Sequence, residues 1–329
     1  MNRTILKSLA LLSVFMLSAC STVQNDPSLE VDNIVSKGVI DNFGSIFVNG
    51  VEFKTSGATL HLRDANTDRV LASEAQVQDF LKKGMVVTVK GLVSKSGLTG
   101  TAQEVEFRDT IQAGIDANGV DLVNNTITVL GQKIVVADSL KSLLATLNAG
   151  DVVEISGLPD DKGQIQATFL EKKANVTEFE AKGYVKLIPG SSASFTLLLA
   201  ASANSGITVN VAAGTPLPAE GSFIEVKTGV TATGGTITAS NLQLEAEIKP
   251  ADNLKVSIDG IPTSGTVDDF VLNGQRVQTN AQTEYLNDTK ANFSLTRKIQ
   301  AHGTVVGGIL IADRITFRAG NGGVIKRSI

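Results

Sequence analysis

The sequence predicts an all-β fold of four tandem, small, OB-like β-barrel repeats, with short helices inserted in repeats one and two. Three observations lead to this prediction: turn glycines recur, apolar residues alternate between them, and the whole pattern returns at a nearly constant interval along the chain. The 329-residue chain has 42% hydrophobic and 19% charged residues. It can therefore bury a core and is not disordered by composition.

Each repeat opens on a glycine within a strand-like run. These glycines are Gly38, Gly114, Gly183 and Gly260. A hairpin follows, and its clearest forms are F-V-N-G-V-E-F around Asn49-Gly50 and V-L-N-G-Q-R-V around Asn273-Gly274. Asn-Gly supplies two positive-φ residues, as a type I′ turn requires. The third segment lacks this short turn, and residues 195–209 are expected to form the same hairpin with a longer loop.

The second half of each repeat is an alternating strand bounded by glycines and then a strand with a small residue at its centre. G-M-V-V-T-V-K-G from Gly84 and G-D-V-V-E-I-S-G from Gly150 show the first of these strands. Their alternation predicts one buried face, and the end glycines allow bulges. The last strand carries an aligned alanine in every repeat, and the spacing of these alanines along the chain is nearly even. They are Ala102, Ala167, Ala239 and Ala312.

Two helix-like pieces precede the alternating strand, at Ser73 to Lys83 and at Ser139 to Leu147. In the first, one apolar face is expected from Ala75, Val77, Phe80 and Leu81, with Ser73 as the N-cap. About five strands with a helix before the fourth indicate an OB-like barrel. A continuous β-sandwich or β-solenoid is the alternative layout.

The predicted organisation follows the repeats. It comprises a signal peptide at 1–19, a lipidated Cys with a flexible tether at 20–35, repeats at 36–108, 109–173, 177–248 and 252–320, and a C-terminal tail at 321–329. The repeat pattern resembles an uncharacterised family of tandem bacterial repeat domains, a domain of unknown function, over residues 36 to 319. The polar joints at 171–178 and 247–253 favour barrels in line, on the order of 110 Å long. The connection between repeats one and two, F-R-D-T-I-Q, is very short, so these two barrels should be docked against each other.

The N-terminus has the features of a secretory signal. Arg3 and Lys7 precede a short apolar core at Leu9 to Met16, which is too short to span a bilayer of about 30 Å. An ordinary signal peptide with an accidental cysteine is the alternative. The formal net charge is −4, and loss of this segment leaves −6. Nucleic acid is therefore not expected as a partner.

L-S-A-C, ending at Cys20, resembles the lipobox of bacterial lipoproteins. The resemblance implies lipidation of Cys20, cleavage before it, and anchoring in the membrane through N-terminal acyl chains. Ser21 stands where an Asp would favour the inner membrane in that family. The resemblance thus implies a lipid anchor in the outer membrane, with the periplasmic or surface face left open. Cys20 is the only cysteine, so no disulfide or thiolate nucleophile is expected in the mature protein.

Catalytic and metal-binding patterns are weak. The two histidines, His61 and His302, lie in different repeats, and no nucleophile or phosphate-binding motif is present. Asp64, Asn66 and Asp68 have the oxygen spacing of a calcium loop but lack its Gly and its final Glu, which favours a solvated hairpin. Asp160-Asp161 before Lys162-Gly163 indicates a turn. We therefore expect no catalytic residue, metal or cofactor.

Two non-enzymatic functions are favoured over an enzymatic one. The first is a non-enzymatic, lipid-anchored repeat protein of the cell envelope that acts as a spacer and interaction scaffold. The alternative is a carbohydrate-binding lipoprotein that recognises peptidoglycan or exopolysaccharide with one barrel face. Candidate stacking aromatics are few and could equally be core residues. They are Phe47, Phe53, Tyr184 and Tyr285. A protein or glycan partner in the envelope is expected in either case.

Overall fold

The computed structural model describes residues 31–62, 67–229, 234–245 and 250–318. These residues form 25 β-strands and two short α-helices, α1 and α2, which confirms the predicted all-β class with small barrel units. The strands belong to two sheets of 14 and 11 strands.

The first group of elements covers predicted repeat one, but its first strand begins at Val31, so the last five residues of the predicted tether at 20–35 are instead part of a paired strand. It comprises β1 (Val31–Phe43), β2 (Ile46–Val48), β3 (Val51–Lys54), β4 (Thr59–Leu62), β5 (Thr67–Val70), α1 (Val77–Phe80), β6 (Val86–Ser94) and β7 (Thr99–Phe107). The second group comprises β8 (Ile111–Asp121), β9 (Thr126–Val129), β10 (Gln132–Val136), α2 (Lys141–Leu144), β11 (Val152–Pro159) and β12 (Ile165–Lys173).

The third group comprises β13 (Phe179–Leu187), β14 (Ser194–Leu198), β15 (Ile207–Asn210), β16 (Phe223–Thr228), β17 (Thr236–Thr238) and β18 (Asn241–Leu244). The fourth comprises β19 (Lys255–Gly260), β20 (Pro262–Thr266), β21 (Asp269–Leu272), β22 (Gln275–Gln278), β23 (Glu284–Leu286), β24 (Ile299–Val306) and β25 (Ile309–Phe317). We call these groups barrels one to four.

Barrel two shows the common closure in its simplest form. Its first strand, β8, pairs antiparallel with β9 and β11; β9 pairs with β10, β10 runs parallel to β12, and β12 pairs with β11. The five strands therefore close on themselves, which removes free sheet edges. The other barrels have the same order of strand pairing, but in two of them one strand is split into two. In barrel three, β17 and β18 together take the place of the last strand. In barrel four, β19 and β20 together take the place of the first strand.

The hairpin predictions are confirmed. Asn49 and Gly50 join β2 to β3 with φ of 56° and 81°, and Asn273 and Gly274 join β21 to β22 with 49° and 83°. Barrel three has the predicted hairpin with a long loop, since β14 pairs antiparallel with β15.

The helical insertions are shorter than the sequence predicts. A 3₁₀ turn at Glu74–Gln76 leads into α1, and another at Asp138–Leu140 leads into α2. Val77 and Leu81 are buried as expected, but Ala75 is exposed. The predicted cap by Ser73 is wrong, because its side chain makes no capping hydrogen bond. The neighbouring Glu74 carboxylate instead accepts the backbone N–H groups of Thr55 and Ser56, both at 2.8 Å.

The barrels are joined in two pairs through their first strands. β1 of barrel one runs parallel to β19 of barrel four, and β8 of barrel two pairs antiparallel with β13 of barrel three. The cores follow the same joints, because barrels two and three share one hydrophobic cluster and Val35 of β1 packs into the core of barrel four. The expected linear array is therefore wrong, since its first and last members could not be hydrogen-bonded neighbours.

Barrels one and two are docked, as the short connection predicts. The Ser156 hydroxyl accepts the N–H of Val86 at 3.0 Å, and the Thr168 hydroxyl donates to the Gly84 carbonyl at 2.6 Å. Phe169 of barrel two also packs into the core of barrel one. With the strand-paired joints, these contacts gather the four barrels around a common centre.

Candidate functional site

The candidate site is a cavity of about 290 Å³ at this centre, lined by residues of all four barrels. The connection at 108–110, between β7 and β8, forms part of its wall. Charged side chains dominate that part of the wall, whereas Tyr184, Phe223 and Leu199 supply apolar surface. The cavity exists only because the barrels meet, so no single repeat contains it.

Lys182 is the centre of a buried ion cluster beside the cavity. Its Nζ lies 2.5 Å from Asp109 Oδ1, 2.9 Å from Glu180 Oε1 and 3.1 Å from Glu225 Oε1. The lysine side chain is 1% exposed, and the three carboxylates are also buried. A buried charge is tolerated only when it is paired, and three acceptors here match the three donors of an ammonium group.

Strand register places these charges together. Glu180 and Lys182 are two residues apart on β13, so their side chains share a face. Lys182 stands directly opposite Glu225 of β16, and Glu180 stands opposite Lys227 in the same register. Each cross-strand pair therefore places a basic side chain opposite an acidic one. Asp109 comes from the connection between barrels one and two, so its bond to Lys182 ties that connection to barrel three.

Arg108 makes a second contact between this connection and barrel three. Its guanidinium contacts Glu106 at 2.9 Å and Glu245, just after β18, at 3.3 Å. It also lies over the ring of Phe223, 5.5 Å from the centroid. Arginine suits this position because its planar group can bind two carboxylates and an aromatic face at once.

The cluster sets the protonation of its members. Burial and the nearby charge of Asp109 raise the pKa of Glu180 to about 8, against the opposing effect of Lys182. Burial by itself would lower the pKa of Lys182, but Asp109, Glu180 and Glu225 outweigh it and raise the pKa. Lys182 is therefore held as a cation and cannot serve as an amine nucleophile. Glu180 is not one of the residues that line the cavity, so a molecule inside it would not touch this carboxyl.

The two histidines are not among the residues that line the cavity, and each contacts an aspartate. His61 Nδ1 is 2.7 Å from Asp68 Oδ1, and His302 Nδ1 is 2.7 Å from Asp313 Oδ1. Asp64 and Asn66, the rest of the weak calcium pattern, lie outside the described residues. Within the described ranges, no group of three or more His, Cys, Asp or Glu side chains is arranged to hold a metal ion.

The predicted turn at Asp160 is confirmed, and the Asp160 carboxylate accepts the N–H groups of Lys162 and Gln164, both at 2.9 Å. The aromatic candidates are dispersed. Phe53 is fully buried in a core, Phe47 is half-buried, and Tyr285 packs near Phe317 with a centroid separation of 6.4 Å.

Tyr184 is the one aromatic candidate that lines the cavity, where its ring lies 4.9 Å from that of Phe223. The charged residues around it could not be recognised as a cluster from sequence: Arg108, Asp109, Glu180, Lys182 and Glu225. Their signal was present as alternating charges on predicted strands, E-A-K in β13 and E-V-K in β16. Polar residues at alternate positions normally indicate a solvent face, and only the docking of the barrels buries them.

Cys20 and the L-S-A-C segment lie outside the described residues. None of the helices in the described part of the chain has the length and apolar character needed to cross a membrane.

The fold and the cavity define an all-β protein of repeated small barrels, and comparison with known proteins agrees. The family described as "Domain of unknown function (DUF5666)" matches residues 34–106, 110–171 and 253–316, which is more than half of the chain. The chain belongs to this family and carries its domain in tandem. Barrel three, by contrast, lies outside the matched ranges.

Comparison with curated proteins gives no match. A solved structure, a deletion mutant of the single-stranded DNA binding protein from Thermus aquaticus, is similar at 10% identity over 66% of this chain and 83% of that chain. The TM-score is 0.17, which is too low to support any argument about fold or ligand.

Proposed function

We propose that this protein is a non-enzymatic, lipid-anchored interaction scaffold of the bacterial cell envelope. In this proposal, acyl chains on Cys20 hold it in the outer membrane, and the four barrels form one rigid platform that binds an envelope partner. The pairing of β1 with β19 favours a compact platform over a linear spacer.

The observation that carries the proposal is the mutual pairing of the buried charges where the barrels meet. Asp109 and Arg108 each bind a residue of barrel three, so these ion pairs fasten the barrels together. A catalytic acid or base must reach the substrate, directly or through one water. The carboxyl with the strongly raised pKa, Glu180, is instead occupied by Lys182 behind the cavity wall. The charges of the candidate site thus support a structural role over acid–base catalysis.

The proposed anchor would keep the platform close to the membrane. Ten residues lie between Cys20 and Val31, the first residue of β1, so eleven Cα-to-Cα steps join the two. A fully extended chain of that length reaches at most about 40 Å. The barrels would therefore contact partners near the surface of the bilayer.

The anchor is tested by Cys20→Ser in the native host. We expect palmitate labelling to be lost and the protein to leave the outer-membrane fraction, because no thiol is available for the acyl linkage. Ser21→Asp is the matched control: it should keep the label while the protein moves to the inner-membrane fraction. An unlabelled wild-type chain, or a Cys20→Ser chain that stays in the outer membrane, would contradict the proposal.

The scaffold role is tested by crosslinking in cells and by sedimentation with purified peptidoglycan. We expect crosslinked envelope proteins that are recovered with the wild type and lost with Cys20→Ser, and no sedimentation of the full chain with peptidoglycan. Sedimentation with peptidoglycan, without protein crosslinks, would instead support the carbohydrate-binding alternative.

A further inference from the structure

Three exposed aliphatic side chains lie at one end of the joined barrels one and four. They are Val31 at the start of β1, Leu98 in the turn between β6 and β7, and Val306 at the end of β24. Their exposed fractions are 51%, 46% and 56%. A single exposed aliphatic residue is ordinary on a protein surface, but several from separate segments at one place indicate a contact surface.

Strand pairing brings the first two of these residues together. Val31 stands opposite Ser94, the last residue of β6. Ser94 begins the turn that contains Leu98, since its carbonyl accepts the N–H of Gly97 at 2.8 Å and its hydroxyl accepts that of Thr99 at 3.2 Å. Val31 and Leu98 therefore lie at the same end of barrel one.

Val306 lies at the same end of barrel four. β1 and β19 run parallel, and Ile34 lies opposite Lys255. Val31 and Asp252 each come three residues earlier, so both lie toward the same end of the joined sheet. The Asp252 carboxylate accepts the N–H groups of the two glycines that follow Val306, at 3.0 and 2.9 Å. The end of β24 is thereby fixed beside the start of β1.

We call this end, with Val31, Leu98 and Val306, the entry end, because the chain that follows Cys20 enters barrel one there. The segment from Cys20 to Val31 reaches at most about 40 Å. Acyl chains on Cys20 would therefore hold the entry end closest to the bilayer.

The entry end is remote from the place where barrel two docks. Barrel two bonds to Val86, the first residue of β6, and Ser94 is eight residues further along that strand. This separation corresponds to about 26 Å. A Cβ at Gly97, Gly307 or Gly308 would meet no described residue within 4 Å, so both turns at the entry end project from the described part of the protein.

Two acidic side chains near these aliphatic residues have partners within the protein. Asp32 pairs with Lys95 at 3.3 Å, and Asp252 accepts the two N–H groups after Val306. Removing a charged group from water is costly unless it is paired and hydrogen-bonded. These contacts therefore lower the cost of bringing the entry end against lipid head groups.

We propose that the entry end rests on the lipid bilayer, with the side chains of Val31, Leu98 and Val306 inserted beneath the head groups. Elements that lie in a membrane interface bury their apolar side chains about 5–10 Å into the boundary between head groups and acyl chains. The inference rests on the proposed lipid anchor, which brings the membrane to this end. It adds an orientation, in which barrel two faces away from the bilayer and is available to an envelope partner.

The test attaches the mature chain, residues 20–329, to vesicles without its native acyl chains. Cys20 is the only cysteine, so a maleimide phospholipid couples at that position alone. The chain has no tryptophan, so Leu98→Trp and Val306→Trp each introduce a single fluorescent reporter. The vesicles contain phosphatidylethanolamine and phosphatidylglycerol, with or without bromine in the upper part of the acyl chains. Because the coupling replaces native lipidation, failure of docking is distinguished from failure of the anchor, which Cys20→Ser reports.

We expect the brominated lipids to reduce the emission of Leu98→Trp and Val306→Trp roughly twofold or more, because both side chains lie at the depth of the bromine atoms. Val123→Trp is the matched control and should keep its emission. Val123 is 90% exposed but lies in the turn between β8 and β9 of barrel two. Full emission of both Leu98→Trp and Val306→Trp in brominated vesicles would overturn the proposal and favour a protein partner for the entry end.

A second substitution tests whether the aliphatic residues form one surface. Val306→Asp in the Leu98→Trp chain should reduce the quenching by at least about half, because a charged side chain is costly in the apolar part of the bilayer. Val123→Asp in the same chain should leave the quenching unchanged. These positions are exposed, so the unfolding temperature should match that of the wild type. Equal quenching in the two chains would contradict a shared docking surface.

Discussion

Asn49 and Asn273 occupy equivalent turn positions in barrels one and four, but their side chains have different surroundings. The amide of Asn49 is buried and donates to Ser36 Oγ and to the Ser257 carbonyl, both at 3.0 Å, so it links barrel one to barrel four. Asn273 lines the central cavity, but its amide nitrogen is buried and has no hydrogen-bond partner among the described residues. Sequence accounts for the positive φ of both turns. It does not reveal the side-chain roles, because those depend on the neighbouring barrel.

Gly38 shows the same dependence on a distant residue. A Cβ at this position would lie 2.2 Å from Asn49 Oδ1, so the glycine makes room for the bridging amide. The glycine that opens each repeat could be recognised from sequence, but the side chain that requires a glycine at position 38 could not.

The protonation of Glu180 should make the stability of the protein depend on pH. Its pKa is about 8 in the folded protein, against 4.5 for an ordinary glutamate. The folded state therefore keeps a proton that the unfolded chain has released, and the free energy of unfolding falls as pH rises from about 4.5 to about 8. Glu180→Gln removes this contribution. Relative to the wild type, its free energy of unfolding should rise between pH 5 and pH 8, by at most about 1.4 kcal/mol per pH unit.

Urea denaturation of both proteins at pH 5, 6.5 and 8 measures the difference. Glu178→Gln, at an exposed carboxylate two residues earlier, is the control and should track the wild type. If Glu180→Gln also tracks the wild type across this range, the carboxyl is not held protonated by its burial and the Asp109 and Glu225 charges.

Among the strands, the glycine in the alternating strand and the alanine in the last strand of a repeat face each other across one β-bulge. The register shifts at Gly91, Gly157 and Gly303, which stand opposite Ala102, Ala167 and Ala312 respectively. A Cβ at these glycines would lie 2.0–2.4 Å from a carbonyl oxygen of the partner strand. The pair is small on both strands because the backbones approach closely at the bulge.

Barrel three lacks this device. Gly229 ends its alternating strand, but a Cβ there would meet no described residue within 4 Å, and Ala239 lies between β17 and β18. The family matches barrels one, two and four and leaves out barrel three. The bulge pair is thus a feature that the three matched barrels share, and its spacing could be predicted from sequence although its geometry could not.

Gly157→Ala tests the bulge. The added Cβ would lie 2.4 Å from the Gln166 carbonyl oxygen, so the strands must separate, and we expect a loss of about 1–3 kcal/mol in the free energy of unfolding. Gly229→Ala is the matched control, with open space and an expected change within about 0.5 kcal/mol. Equal effects of the two substitutions in thermal or urea unfolding would show that close approach is not the reason for the glycine.

At the scale of the whole molecule, the sequence predicts the barrels but not their arrangement. Alternation, turn glycines and the period of the alanines are local signals, and they predicted the strand cycle of each unit. The polar joints are compatible with both a linear and a closed arrangement. The choice depends on which strand edges meet, and the pairing of β1 with β19 joins the first barrel to the last, far apart along the chain. The cavity and the ion cluster arise from that arrangement, which is why the sequence did not predict them.

Small-angle X-ray scattering of the acyl-free fragment 21–329 tests most directly whether the four barrels close into one body. A compact chain of this length has a radius of gyration of about 19 Å, and the closed arrangement predicts a value near it. Four barrels in line, on the order of 110 Å long, would give about 30 Å. A measured radius of gyration close to the compact value would support the closed arrangement and the central cavity, and one close to the in-line value would contradict both.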